Sequence, residues 1–279
     1  MIYECHGHII LDGVSYKDSV ARHKNGVDES FVRQNLALCA AHGITFYRDG
    51  GDKHNVGVLA RKVAQEYGID YRTPAYIIHK KGGYGNMFGR AFENMREYRE
   101  LIDEAGRLGA DFIKLTASGI VDYKDGNITG PPIDDEFPEM VKIAHGEGYA
   151  VMVHANGTDN IKRAAAAGAD SIEHGFGIGR DALLTMAHTG TIWVPTCATA
   201  VNLIGCGRYD DAIIRKIAGD HKAAIASGRD MGVTIACGSD AGASHVGQGT
   251  GAHDELAILT ALGIDPADGN RKLSEVFKQ

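Results

Sequence analysis

The sequence predicts an α/β protein with the (β/α)8 TIM barrel fold. Short apolar runs rich in β-branched residues alternate with amphipathic helical stretches along the 279 residues. There are eight such apolar runs, and this number, together with the alternation, is typical of a barrel of eight parallel strands. No internal repeat, low-complexity segment or linker divides the chain. We therefore expect a single domain over residues 1–279.

The predicted elements follow the chain in order. The strands cover residues 2–10, 43–51, 70–80, 110–119, 149–157, 169–175, 191–199 and 233–242. Helices are predicted between them where apolar residues recur three or four positions apart. These helices cover residues 28–42, 92–109, 160–168 and 211–232. Many of the 37 glycines lie where a strand and a helix would meet, which suits tight connections.

Composition narrows the possible partners. The chain is 44% hydrophobic and 23% charged, as expected of a globular domain. Its formal net charge is −7 and lysine and arginine are not concentrated anywhere, so no nucleic-acid or acidic-membrane partner is indicated. No leader pattern and no apolar run of about 18 residues is present. We therefore expect a cytoplasmic protein that acts on a small molecule.

The five cysteines show no CxxC spacing, which argues against a disulfide framework and against a thiolate zinc site. We expect them to behave as small buried apolar residues. They are Cys5, Cys39, Cys197, Cys206 and Cys237.

Polar side chains stand near the ends of the predicted strands. His6 and His8 are two positions apart in the first strand, so both rings lie on the same face. Active sites of these barrels lie at the carboxyl ends of the strands. The other candidates at such ends are Lys114, His154, His174 and Asp240. Together, the six side chains would converge on one rim and suit a metal site.

Each of these residues also has a structural interpretation. The histidines could be core residues whose ring nitrogens are hydrogen-bonded. Lys114 could form a surface salt bridge, although the apolar residues beside it indicate an inward position. Asp240 could cap the turn after the last strand, because Ser-Asp and Asp-Ala-Gly are common turn elements. The order of the six residues along the chain favours the metal interpretation.

The local contexts of these residues resemble the amidohydrolase superfamily. The segments "DFIKLTASG", "VHANG", "AGADSIEHG" and "GSDAG", together with "GITFYRDGG", are similar to the imidazolonepropionase-like branch that includes Xaa-Pro dipeptidases (prolidases). The resemblance runs from about residue 1 to about residue 262. It implies a binuclear centre of two divalent metal ions, zinc first and manganese, cobalt or iron as alternatives.

The resemblance also implies a role for each ligand. His6, His8 and Asp240 would hold one metal, and His154 and His174 the other. Lys114, carboxylated by carbon dioxide, would bridge the two ions as a carbamate. An activated hydroxide would then attack an amide carbonyl while Asp240 passes the proton to the leaving amine. A dipeptide or an N-acyl amino acid would be a suitable substrate.

Four further residues are candidates for substrate contact: His79, Tyr123, Asn156 and His245. His79 precedes a glycine-rich segment at 80–89 that is either a lid or a solvated turn. Prolidase-like relatives place a tyrosine two residues after the strand-five histidine, whereas this chain has Asn156 there. Xaa-Pro specificity therefore does not follow, and lactone or ester hydrolysis stays open.

Several predictions concern the surroundings of the site. Arg48 and Asp49 are expected to form a structural ion pair. The histidines on helical and loop stretches are expected to be exposed: His23, His42, His145, His188 and His221. Few residues precede His6 or follow 262, which predicts that the family's accessory β-sandwich is absent. A homo-oligomer interface is expected to cover the surface that the sandwich would have covered.

Two other classes of function remain possible. The segment "DFIKLTASG" also resembles the strand around the Schiff-base lysine of deoxyribose-phosphate aldolase, in which case Lys114 would attack a carbonyl without metal. That interpretation leaves the aligned histidines unexplained. The chain could also be a non-catalytic scaffold that binds metal, although all six ligand positions are filled.

Overall fold

The computed structural model describes residues 1–276, and its strands are all parallel. They form two hydrogen-bonded groups, in the orders β1-β2-β3 and β5-β4-β6-β7-β8-β9. The strands are β1 Ile2–Gly7, β2 Ile44–Asp49, β3 Asp70–Arg72, β4 Ile77–Lys80, β5 Gly89–Phe92, β6 Ile113–Thr116, β7 Val151–Ala155, β8 Ser171–His174 and β9 Ile192–Val194.

Two stretches join these groups into a closed ring. Residues 233–242 lie between β9 and β1: the Trp193 N–H donates to the Thr234 carbonyl at 2.9 Å, and the Cys5 N–H donates to the Cys237 carbonyl at 2.9 Å. On the other side, β3 and β4 are two parts of the predicted strand 70–80. They are separated by residues 73–76, where Pro74 has no N–H and Ala75 has a φ of 65°. The (β/α)8 barrel is confirmed.

Helices cover the outside of the strands, and the four predicted ones are present as α2, α4, α6 and α9. Side-chain oxygens cap several of them: Asp28 accepts from the Phe31 N–H, and Asn94 accepts from the Glu97 N–H. The helices are α1 Tyr16–Arg22, α2 Glu29–Ala41, α3 Val56–Val63, α4 Met95–Arg107, α5 Phe137–Gly146, α6 Thr158–Ala166, α7 Arg180–Thr189, α8 Ala198–Val201, α9 Asp211–Asp230, α10 Thr250–Ala261 and α11 Ala267–Val276.

The packing separates an outer core from the barrel interior. The outer core lies between helices and strands and contains residues such as Val153 and Trp193. A second cluster, with Phe46, Phe112 and Met152, draws on several strands and fills the interior. The pairing of β1 with β2 is irregular between Glu4 and Gly7. This irregularity lets Cys5 join the interior cluster while His6 faces the rim.

No helix within residues 1–276 is long and apolar enough to cross a membrane. The single domain over 1–279 stays a prediction.

Candidate metal centre and active-site cavity

The carboxyl ends of β1 and β8 and the turn after the last barrel segment bring three ligand-type side chains together. One ligand atom each from His6, His174 and Asp240 lies within 4.8 Å of the others. The Oδ1 of Asp240 is 3.7 Å from Nε2 of His6 and also 3.7 Å from Nε2 of His8. These distances suit a shared cation, because carboxylate and imidazole ligands bind zinc at about 2 Å.

His154 lies beside this cluster at the end of β7. Its ring centroid is 4.6 Å from that of His174. Nε2 of His154 is 2.9 Å from the Gly119 carbonyl oxygen, which leaves Nδ1 as the nitrogen that can bind another group. The compact cluster thus joins His174 to His6 and Asp240, whereas the predicted division of ligands between two ions stays a prediction.

Lys114 lies inside the same rim on β6. Its side chain is buried, and Nζ has no hydrogen-bond partner within residues 1–276. Burial lowers the pKa of Lys114 to about 8. Its amine therefore loses its proton far more readily than that of an exposed lysine, as carboxylation requires.

Burial also sets the charge of the other candidates. It lowers the pKa of His8 and of His154 to about 3, and that of His6 and His174 well below the usual range. These imidazoles are neutral at pH 7 and have a lone pair available for a cation. Burial raises the pKa of Asp240 to about 7, with Lys114 opposing the shift.

Two hydrogen-bond partners fix the orientation of the rings. A Glu173 carboxylate oxygen is 2.7 Å from Nδ1 of His6, and the Thr196 hydroxyl is 2.8 Å from Nδ1 of His174. In both rings Nε2 is thereby left for a ligand, an arrangement common around metal-binding histidines. His174 and Asp240 themselves have φ values of 69° and 62°, in the left-handed region where strain often accompanies function.

A buried ion pair between Arg48 and Glu173 lies beneath the site, and it was not predicted from the sequence. Arg48 is fully buried and donates to both carboxylate oxygens of Glu173, at 2.7 and 2.8 Å, and to the Ser171 hydroxyl. The predicted Arg48–Asp49 pair is wrong, because neighbouring residues of a strand point to opposite faces. Asp49 instead accepts from the Thr73 hydroxyl at 3.1 Å. The sequence feature that could have indicated this ion pair is an arginine within a predicted barrel strand.

A cavity with two lobes opens over the candidate ligands. The small lobe has a volume of about 190 Å³ and the large lobe about 490 Å³. They meet at a shared wall that includes Tyr84, Tyr123, His154, His174 and Asp240. The lobes therefore meet over two members of the candidate metal cluster, His174 and Asp240.

The four substrate candidates are placed differently. Tyr123 lines both lobes and Asn156 lines the small one. The Asn156 amide is already engaged: Nδ2 donates to the Gly119 carbonyl and Oδ1 accepts from the Phe176 N–H. His79 packs beneath the glycine-rich segment, and His245 is exposed, and neither lines the two lobes. Substrate contact by any of the four stays a prediction.

The glycine-rich segment contributes a residue that sequence reasoning did not single out. Tyr84 lines both lobes, and its ring stacks on His154 with centroids 4.7 Å apart. The Thr116 hydroxyl holds the backbone of this segment by donating to the Tyr84 carbonyl at 2.6 Å. The segment therefore forms part of the cavity wall.

Two of the histidines expected to be exposed are buried. His23 is 2% exposed and packs against Phe31, and His221 is 2% exposed and stacks on Phe176. The expectation was wrong for these two because each lies on the inner side of its helix or helix end, where packing decides exposure.

Comparison with known proteins identifies the family. The model of the amidohydrolase family matches residues 17–274. The chain belongs to the amidohydrolase family. An uncharacterised protein of Mycobacterium tuberculosis is 31% identical over 183 residues, which are 63% of this chain and 49% of that protein. The chain thus spans about half the length of the curated relatives it matches.

Solved structures share the fold of this amidohydrolase. A Xaa-Pro dipeptidase with methionine bound in its active site is 24% identical, with a TM-score of 0.78 over 99% of this chain and 75% of the other. The ochratoxinase of A. niger is 22% identical, with a TM-score of 0.75 over 96% of this chain and 68% of the other. The predicted membership of the superfamily is confirmed.

Proposed function

We propose that this amidohydrolase uses two divalent metal ions, zinc first, to hydrolyse the amide C–N bond of a small molecule such as an N-acyl amino acid or a dipeptide. The observation that carries the proposal is the buried cluster of His6, His174 and Asp240 beside the unpartnered Lys114. The names of the Xaa-Pro dipeptidase and the ochratoxinase support amide hydrolysis as the reaction class.

The donors fit such a centre. Nε2 of His6 and Nζ of Lys114 are buried without hydrogen-bond partners among residues 1–276, and Nε2 of His8 faces Oδ1 of Asp240 at 3.7 Å. Buried polar atoms normally have partners, so an unpartnered set around one space suits a cation or a carbamate. His6, His8 and Asp240 would hold one ion, His154 and His174 the other, and carboxylated Lys114 both. When bound, the ions supply an activated water and a Lewis acid.

The residues of the chain would perform the remaining steps. Asp240 is suited to accept a proton from the attacking water and to pass it to the leaving amine, because its Oδ1 lies at the centre of the cluster, 3.7 Å from Nε2 of His6 and of His8. Glu173, an obligatory acceptor, keeps the proton of the His6 ring on Nδ1, and Thr196 orients the ring of His174. Water adds across the C–N bond, and a carboxylic acid and an amine leave.

The test is the metal content of the chain, prepared with zinc or manganese and bicarbonate. We expect about two ions per chain in the unmodified protein and one or none in Lys114→Ala. Lys142→Ala, which removes an exposed lysine on α5, serves as the matched control and should retain both ions. Absence of metal from the unmodified protein under these conditions would contradict the proposal.

One observation favours a second candidate. A buried amine with a pKa of about 8 is also suited to attack a carbonyl and, with loss of water, form an imine. Borohydride would reduce that imine to a secondary amine and add to Lys114 the mass of the carbonyl compound less one oxygen atom. Labelling of Lys114 in metal-free protein would support the aldolase, whereas amide turnover that needs metal would support the hydrolase.

The same centre could act on lactones or esters, which belong in the substrate screen. Turnover that disappears in Asp240→Asn with metal retained would exclude a non-catalytic scaffold. We also propose a homo-oligomer, and light scattering at micromolar concentration should give a mass above the 29.8 kDa of one chain.

A further inference from the structure

Charge is distributed unevenly around the cavity. Among residues 1–276, Asp240 is the only acidic side chain that lines either lobe, and it belongs to the candidate metal cluster. Lys17 and Arg208 line the mouth of the large lobe, and both are exposed. The Arg208 guanidinium lies 5.3 Å from the ring centre of Tyr209, another lining residue. The large lobe can therefore attract an anionic group.

Apart from Asp240, which belongs to the candidate metal cluster, the small lobe has no acidic side chain among the described residues for a cationic group. Its own wall is formed by Val121, Phe176, Leu203, Thr199 and Asn156. The polar members are committed elsewhere, since the Thr199 hydroxyl donates to the Thr196 carbonyl at 2.8 Å and both ends of the Asn156 amide are bonded. An ammonium group that enters this lobe loses its hydration and meets no acidic side chain of the described chain except Asp240, which the metal cluster uses.

The mouth of the large lobe is also apolar. Val14, Tyr16 and Ile120 are 85%, 43% and 42% exposed and line this lobe, and they are among the few large hydrophobic residues of the described chain with such exposure. Exposed apolar side chains grouped at a cavity mouth are typical of a ligand-binding surface. Phe88 and Met87 extend the apolar wall inward.

We propose that the substrate is an N-acyl amino acid with a free carboxylate and an apolar side chain, and not a dipeptide with a free ammonium. The short uncharged acyl group occupies the small lobe. The amino-acid half occupies the large lobe, with its carboxylate toward Lys17 and Arg208. Hydrolysis adds water across the amide, so that the C–N bond breaks and a carboxylic acid and a free amino acid are released. This inference rests on the proposed hydrolase function.

The experiment compares matched substrates with the metal-loaded protein. For phenylalanine, leucine and methionine, kcat/KM is measured for the N-acetyl amino acid, for its C-terminal carboxamide and for the glycyl dipeptide. The carboxamide removes only the anion, and the dipeptide adds only an ammonium to the acyl group. We expect the N-acetyl acid to exceed each of the others by at least tenfold.

Variants then locate the anion site. In the double variant Lys17→Gln/Arg208→Gln, the ratio of kcat/KM for acid over carboxamide should fall about tenfold, since exposed ion pairs each contribute a fewfold effect. Lys142→Gln, on the outer helix α5, is the matched control and should leave the ratio unchanged. Equal losses in both variants would overturn the assignment of Lys17 and Arg208.

A binding measurement separates this inference from the proposed function. Calorimetry on the zinc-loaded Asp240→Asn variant compares N-acetyl acid with carboxamide without turnover. If no amide is hydrolysed by the unmodified protein but the acid still binds at least tenfold more tightly, the hydrolase proposal fails and the ligand class stands. If amides are hydrolysed with no preference for the N-acetyl acid, the hydrolase stands and this inference is overturned.

Discussion

Two groups of buried polar side chains lie inside the barrel, and they differ in how far their hydrogen bonds are satisfied. The inner group consists of Arg48, Ser171 and Glu173, whose charged and hydroxyl groups bond to one another at 2.5 to 2.9 Å. The rim group includes His6 and Lys114, each of which has an unpartnered buried nitrogen within residues 1–276. Both groups of side chains are buried, but only the inner group has hydrogen-bond partners for all of its polar side-chain atoms.

This difference in hydrogen bonding indicates a structural role for the inner group and a functional role for the rim group. An unsatisfied buried polar atom costs about 1–3 kcal/mol, so several around one space lower the stability of the fold itself. In the inner group, the hydrogen bonds between its members offset the cost of removing them from water. The rim group has no such pairing, and a cation bound between its members would supply partners for it, which is why the proposed function is placed there.

The largest expected effect is on catalysis at the rim. Asp240→Asn keeps the shape of the side chain but removes its capacity to accept a proton, so kcat should fall about 10²–10⁴-fold. The measurement is steady-state hydrolysis of N-acyl amino acids with the metal content determined in parallel. Activity within a few fold of the unmodified protein, with metal retained, would show that another group moves the proton.

The comparison between the groups is tested most directly by two methionine substitutions. Arg48→Met leaves Glu173 without its cation and should lower the free energy of unfolding by about 3–5 kcal/mol. Lys114→Met removes an unpartnered amine and should leave that free energy unchanged or raise it by about 1–3 kcal/mol. Urea unfolding in the presence of a chelator measures both. A larger loss in Lys114→Met would reverse the comparison.

The effect of pH on stability should reveal a buried carboxyl outside both groups. Glu255 is fully buried and accepts from the Ala198 N–H at 2.7 Å. Burial raises the pKa of Glu255 from 4.5 to about 7. Between those pH values the folded state holds a proton that the unfolded state has lost, so the free energy of unfolding falls as pH rises, by about 3 kcal/mol in total.

Glu255→Gln removes this contribution. Relative to the unmodified protein, the variant should gain up to about 3 kcal/mol between pH 4.5 and 7.5, as measured by urea unfolding across that range. The exposed pair Arg271–Glu275 supplies a control, because Glu275→Gln should leave the pH dependence nearly unchanged. Parallel curves for Glu255→Gln and the unmodified protein would contradict the prediction.

The smallest expected effect concerns Tyr84. Its ring stacks on His154, so Tyr84→Ala should lower kcat/KM by about two- to tenfold, the range expected of an aromatic contact. Tyr84→Phe keeps the stack and should stay near the unmodified value. Equal losses in the two variants would assign the effect to the hydroxyl instead of the ring.

Much of the fold could be predicted from the sequence, because periodicity is a local property. The alternation of strands and helices, and the placement of α2, α4, α6 and α9, follow from apolar spacing and capping residues. β5 was missed because its four residues, "GRAF", lack a β-branched apolar pattern. The interruption of strand 70–80 was also missed, since pairing with two different neighbours depends on the closed ring.

The residues at the rim of the site could also be predicted from the sequence, but their hydrogen-bond partners could not. Strand ends in the order of a barrel indicated which residues share the rim, and the structure brings His6, His174 and Asp240 together. The predicted lack of an accessory β-sandwich stays a prediction, because the chain spans only part of the length of its relatives. The pairing of Arg48 with Glu173 could not be predicted, because 125 residues separate them.

The sequence by itself determined the alternation of elements, the lack of any stretch rich in lysine and arginine, and the six ligand-type residues, because each is encoded in local composition and spacing. Only the tertiary structure decided which of these residues meet, which polar atoms are left without partners, and where Lys17, Arg208 and Tyr84 face the cavity. The physical reason is that hydrogen-bond satisfaction and desolvation depend on neighbours brought from distant strands.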